Sequence, residues 1–136
     1  MREILFRGKA LYSDYWIEGY YVLLHDCKGN VSHRIYPGYA ATDCGDFYPE
    51  WDEVDPKTVG QFTGLTKNGK KIFEGDLCLC NRNINSFVDN QVFLISFDAE
   101  YGQWVGSSRS SNIAADEFSM CEVIGNIHDN PELLEG

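Results

Sequence analysis

Basic residues are scarce: 11 Lys and Arg stand against 21 Asp and Glu, a formal net charge of −10 at pH 7. A protein that holds nucleic acid by neutralising phosphates needs a surplus of cations somewhere, so this balance argues against such a partner. Long apolar runs are missing as well. No stretch approaches the roughly 20 residues of a membrane span. The opening Met-Arg-Glu-Ile-Leu-Phe-Arg-Gly lacks the apolar segment of a signal peptide, so the expected compartment is the cytoplasm and no membrane partner is expected. Nor is there a phosphate-cradling loop, because Gly102-Gln103-Trp104-Val105-Gly106 is not followed by Lys-Ser/Thr. The five Cys (27, 44, 78, 80 and 121) form neither an even set nor a repeating framework. In a reducing compartment they are expected to be free thiols.

What is present reads as one small β domain. A chain of 136 residues suits a single compact domain over 1–136, and 43% hydrophobic residues are enough for a core. Aromatic residues, at 14%, are abundant: three Trp, eight Tyr and eight Phe. Ile4 to Tyr12 and Tyr15 to His25, joined by Ser13-Asp14, predict a hairpin. Asp26 to Asn30 is a turn cluster, and Val31 to Tyr36 is the next strand. Pro37 to Trp51, with two Pro and two Gly, predicts a long ordered loop. Asp55-Pro56 begins a turn, and Thr58 to Leu65 is extended.

Asn68-Gly69 predicts a type I′ turn, because both central positions need positive φ. Lys70 to Phe73 then returns, and Leu77 to Cys80 starts another strand. The Asn-rich run Arg82 to Asp89 predicts a mobile hairpin loop. Val92 to Phe97, apolar almost throughout, predicts a central strand covered on both faces. Tyr101 to Val105 is a further strand, Ser111-Asn112 would cap a short helix over Ile113 to Phe118, and Met120 to Ile127 closes the set. A single turn, Glu132 to Leu134, follows Asn130-Pro131. The expected class is mainly β, a small meander or barrel-like domain with one or two short helical turns. Its N-terminal β part covers about 1–60 and its C-terminal part about 61–136. Gly-Asp-Leu, a polar loop, an apolar strand and a closing strand make that second half analogous to an SH3-like barrel.

The residue types that carry chemistry do not assemble into a site. Cys78 and Cys80 share one strand face, and His25 with Cys27 would complete a four-ligand set, but the spacing is not the Cys-x-x-Cys of structural zinc. Small core residues are the simpler reading. No motif places a Cys beside His33 or His128. Asp43, Asp46, Glu50, Asp52, Glu53 and Asp55 lack calcium-loop spacing and read as a solvated acidic loop. No catalytic residue, metal or cofactor is assigned.

The same loop interleaves charge with Tyr36, Tyr39, Phe47, Tyr48 and Trp51, residue types that supply contact area at interfaces. These five form the candidate interaction surface. A small β domain leaves edge strands open, and few Lys are available to blunt them, so self-association into a homo-oligomer is expected.

Several runs resemble the YopX protein family of bacteriophages and prophages. They are Phe6-Arg7-Gly8-Lys9 with Trp16-Ile17-Glu18-Gly19, the stretch Val54 to Leu65 (VDPKTVGQFTGL), Asn68 to Asp76 (NGKKIFEGD), and Val123 to Leu134 (VIGNIHDNPELL). The resemblance implies a phage accessory protein of unknown molecular function in the bacterial host cell, and it carries over no catalytic residue. Two function classes remain: a non-enzymatic module that binds itself and a host protein, and an acidic nucleic-acid mimic whose carboxylates fill a basic groove.

Overall fold

Strand β1 (Phe6–Lys9) and strand β2 (Trp16–His25) form the opening hairpin, with Lys9 opposite Trp16 and Phe6 opposite Gly19. These coordinates are a computed structural model describing residues 3–37, 52–84 and 87–134, with side chains at all of these except 82–84 and 87–89. The chain forms two compact units, Met1–Gln61 and Phe62–Gly136. Mainly antiparallel β structure fills both.

In the first unit the strand order is β4-β3-β2-β1-β5, with β3 at Val31–Tyr36, β4 at Asp52–Glu53 and β5 beginning at Gly60. Its core is Ala10, Ile17, Ile35 and Val54, with Phe6, Tyr21 and Val59 packed against it. A short 3-10 turn, Pro56–Thr58, closes the unit. Asp55 starts that turn because its carboxylate accepts the Lys57 N–H at 3.1 Å and Pro56 supplies the fixed φ of a first position. Thr58 then takes the Lys9 N–H at 2.8 Å and gives its own proton to the Asp55 carbonyl at 2.6 Å.

In the second unit β5 (Gly60–Lys67) pairs with β6 (Lys70–Phe73) through a turn in which Asn68 and Gly69 both have positive φ, 53° and 78°. Beside this hairpin stands a five-stranded sheet, β10-β9-β8-β7-β11. Its strands are β7 (Asp76–Ile84), β8 (Phe87–Asp98), β9 (Gln103–Ser107), β10 (Asn112–Ala114) and β11 (Cys121–Asn126). Ile72, Cys78, Cys80, Phe93, Ile95, Ile113, Phe118 and Cys121 make its core. No helix among the described residues is long and apolar enough to cross a membrane.

Four expectations are corrected, and the SH3-like closure of the second half is not seen among the described residues. The mobile hairpin loop expected over 82–89 is not found at 82–84 or 87–89: β7 continues to Ile84 and β8 starts at Phe87, because ladder hydrogen bonds outweigh the weak strand propensity of Asn. The run 113–118 is not a helix capped by Ser111-Asn112. Residues 112–114 pair with β9 as a strand, and a 3-10 turn follows over Ala115–Met120, with the Ala114 N–H donating to Glu117 at 3.2 Å. Val92 to Phe97 is the central strand of its sheet, yet only Phe93 and Ile95 are buried, and Phe97 is 47% exposed. Closure of the second half into an SH3-like barrel is not among the pairings, since the end strands β10 and β11 do not pair with one another. Finally, Cys80 and Cys121 are not free: they lie directly opposite in the β7–β11 register, with Cα atoms 4.1 Å apart, and form a disulfide.

Candidate functional site

The motif residues turn out to hold the backbone. Arg7 sits over the Trp16 ring at 4.9 Å, and the Phe6 and Tyr21 rings are 5.6 Å apart. Thr63 donates to the Ile72 carbonyl at 2.8 Å, and Asp76, 1% exposed, accepts the Phe73 N–H at 2.8 Å. Asn126 accepts the backbone N–H groups of His128 and Asp129 at 3.0 and 2.9 Å, and Asn130 accepts that of Asn126 at 3.3 Å. Short polar side chains stabilise turns in this way.

Of the aromatic residues singled out from the sequence, Tyr36 ends β3 opposite Tyr20. Tyr39, Phe47, Tyr48 and Trp51 lie outside the described residues, as do Asp43, Asp46 and Glu50. The proposed ligand set is divided: Cys80 is bonded to Cys121, Cys78 is buried, and Cys27 is exposed in the turn after β2.

Two features were not singled out from the sequence. The first is an arm. β1 pairs with Trp16–Gly19 of β2, and β3 pairs on the opposite edge with Tyr20–His25. β4 covers β3 at Arg34 and Ile35. The far part of the β2–β3 hairpin is thus two strands wide among the described residues, and Tyr20, Leu23, Leu24 and Val31 are 53%, 47%, 40% and 46% exposed on it. Its turn is tied by Asp26, whose carboxylate accepts the Asn30 side-chain amide at 2.9 Å and the backbone N–H groups of Lys28 and Asn30 at 2.8 and 2.9 Å. Those bonds, the Asn30 side chain first, hold the Asp26 carboxyl below its ordinary range. At the arm's base Tyr21 is hydrogen-bonded to His33, and burial pushes its phenol upward. The continuous apolar run Tyr20 to Leu24 was the available signal; in a strand, neighbouring residues point to opposite faces, so β2 contributes apolar side chains to both faces of the arm.

The second feature is a cavity of about 690 Å³ in the second unit. Its origin is a mismatch of strand lengths. β9 pairs with β8 only from Asp98 back to Leu94, while β8 runs on through Asn90. Beyond Ser107 the chain turns toward β10, and the space beside β8 is lined by Val92, Leu94, Arg109, Leu133 and Leu134 together with Asn, Gln and Ser groups. The turn is closed by the Ser108 N–H on the Ser111 carbonyl at 2.9 Å. Hydroxyls of Ser108 and Ser111 reach the Gln91 side-chain oxygen at 2.6 and 3.1 Å. In the sequence the only signal was one Arg inside a run of serines.

Comparison with known proteins agrees with this architecture. The crystal structure of protein EF1440 from Enterococcus faecalis is 24% identical, with a TM-score of 0.57 over 98% of this chain and 99% of that one. Protein yopX from Bacillus subtilis is 20% identical, with a TM-score of 0.54 over 100% of this chain and 98% of its own. At these identities the likeness is one of fold. None of the curated proteins matches the chain. A family model described as YopX protein matches residues 5–135, nearly the whole length. With the motif runs in their family order and this match, the chain belongs to the YopX protein family.

Proposed function

We propose that this chain is a non-enzymatic interaction module, encoded by a phage or prophage, that assembles with copies of itself. One observation carries the reading: the outer edge of β2 over Tyr20–His25. Among the described residues this edge has no ladder partner, and it contains no Asp, Glu, Lys or Arg. Natural edge strands are usually defended by charge, Pro or a bulge, and an undefended one is a template for another strand. Antiparallel pairing of two such edges is self-complementary about a two-fold axis, so a second copy fits it without new chemistry. Burying Tyr20, Leu23 and Leu24 stabilises the pair by about 25 cal/mol per Å² of apolar surface. The net charge of −10 opposes it. Salt confines that repulsion to about 8 Å at physiological strength. Tyr36, Tyr39, Phe47, Tyr48 and Trp51 are in this reading a second candidate contact set, for another copy or for a host protein.

Light scattering at micromolar concentration and moderate salt tests it. A multiple of the 15.5 kDa chain mass is expected for the wild type, falling to one chain when Leu23 and Leu24 are both replaced by Lys. A wild type that stays monomeric overturns self-association. An oligomer that survives the Lys pair, yet is lost when Tyr48 and Trp51 become Ala, moves the interface off the arm.

A further inference from the structure

The cavity beside β8 is not used by the interaction reading, and its lining has a chemical direction of its own. We propose that it binds a small aliphatic carboxylic acid, with the apolar body against Val92, Leu94, Leu133 and Leu134 and the carboxylate on the Arg109 guanidinium. The volume, about 690 Å³, lies within the range of small-molecule sites, about 300–1,000 Å³.

Charge selects the head group. Of the lining residues one is a cation and none is a carboxylate, the others being Val, Leu, Asn, Gln and Ser. The one formal charge in the lining is thus positive, which favours an anion over an amine as the group held there. Arg109 is exposed, and its side chain makes no hydrogen bond or ion pair among the described residues, so its fork of donors is available for a bidentate contact. The hydroxyls of Ser108 and Ser111 are already turned to Gln91. A phosphate, with more charge and three oxygens to satisfy, would find one cation and few free donors, whereas a monocarboxylate matches that single charge. The serine–glutamine contacts hold the turn closed and so fix the backbone that carries Arg109 beside the cavity. No His, Cys, Asp or Glu lines the cavity, so the site reads as one for binding.

Calorimetric titration of the full chain with octanoate, octylamine and octanol tests the assignment, with amide NMR shifts locating the contact. Octanoate is expected to bind saturably at or below about 1 mM, the weak end of specific affinity. Octylamine should give no saturable heat. Arg109→Gln, at an exposed position where folding is not at stake, should weaken octanoate about tenfold, as expected for loss of a charge-assisted contact. Acetate, lacking the apolar body, should bind at least about tenfold more weakly. Shifts should fall on residues 90–94, 107–110 and 133–134. Octanol binding as tightly as octanoate, an unchanged Arg109→Gln, or no saturable octanoate heat overturns the proposal. Shifts confined to Tyr20–Val31 overturn it too. None of these results bears on whether the chain self-associates.

Discussion

The hydroxyl of Tyr21 is hydrogen-bonded to Nδ1 of His33, and the two rings stack with centroids 5.9 Å apart and planes 15° from parallel. Tyr21 stands opposite Ile35 and His33 opposite Leu23, so the contact is a diagonal across the β2–β3 ladder. It ties the arm where β1 stops supporting β2. Two-stranded ribbons are marginal alone, and this pair is one reason the arm is ordered.

Replacing Tyr21 by Phe removes that bond and leaves the ring. The expected cost is about 1 kcal/mol, the usual net worth of one hydrogen bond. Chemical denaturation measures it, and hydrogen exchange should show the loosening concentrated in 20–36.

Stability should respond to pH at both extremes, through the arm. Burial raises the Tyr21 phenol in the folded state, so its contribution is complete below the ordinary tyrosine value of about 10 and is lost as pH rises through the raised one. Asp26 has the opposite sign. Its carboxyl is lowered, chiefly by the Asn30 side chain, so its contribution is present above the ordinary aspartate value and fades as pH falls through the lowered one. Denaturation midpoints across pH should therefore drop at both ends. Tyr21→Phe should remove the alkaline component and Asp26→Asn the acid one.

Reduction of the Cys80–Cys121 bond should destabilise the second unit. The bond closes a loop of sequence separation 41, which the chain-entropy view places at about 2–4 kcal/mol. Denaturation with and without reductant checks this, and Cys80→Ser should match the reduced wild type.

Gly19→Ala should dislodge the arm. A Cβ there would lie 1.9 Å from the Tyr36 carbonyl oxygen, a backbone atom that cannot swing aside. Overpacking of this kind costs about 1–3 kcal/mol. By contrast Gly69→Ala meets nothing within 4 Å, so its cost, about 1 kcal/mol, comes from its φ of +78° alone. Thermal melts should separate the two, with the Gly19 variant also losing any oligomer formed through β2.

Local chemistry was readable in the linear chain wherever a few neighbouring residues decide the conformation. Asn68-Gly69 demands positive φ and obtains it at both positions, Asp55-Pro56 starts its 3-10 turn, and Asp76 and Asn126 satisfy adjacent amides. Strand β3 runs from Val31 to Tyr36 as its composition predicts. The segment 82–89 and the helix expected after Ser111 failed for one reason: a partner strand distant in sequence supplied hydrogen bonds that local propensity could not anticipate.

The sequence by itself determined the β class, most of the turns and the family, because these depend on residue type, short spacing and ordered motifs. Tertiary structure alone decided register and relative strand length. Register put Cys80 opposite Cys121, a pairing that no spacing of five cysteines contains. Relative length left β2 longer than its partner β1 and β8 longer than β9, and these two overhangs made the arm and the cavity. Both arise from how far one strand outruns another, a quantity set by packing and hydrogen-bond closure over the whole sheet and by no residue alone.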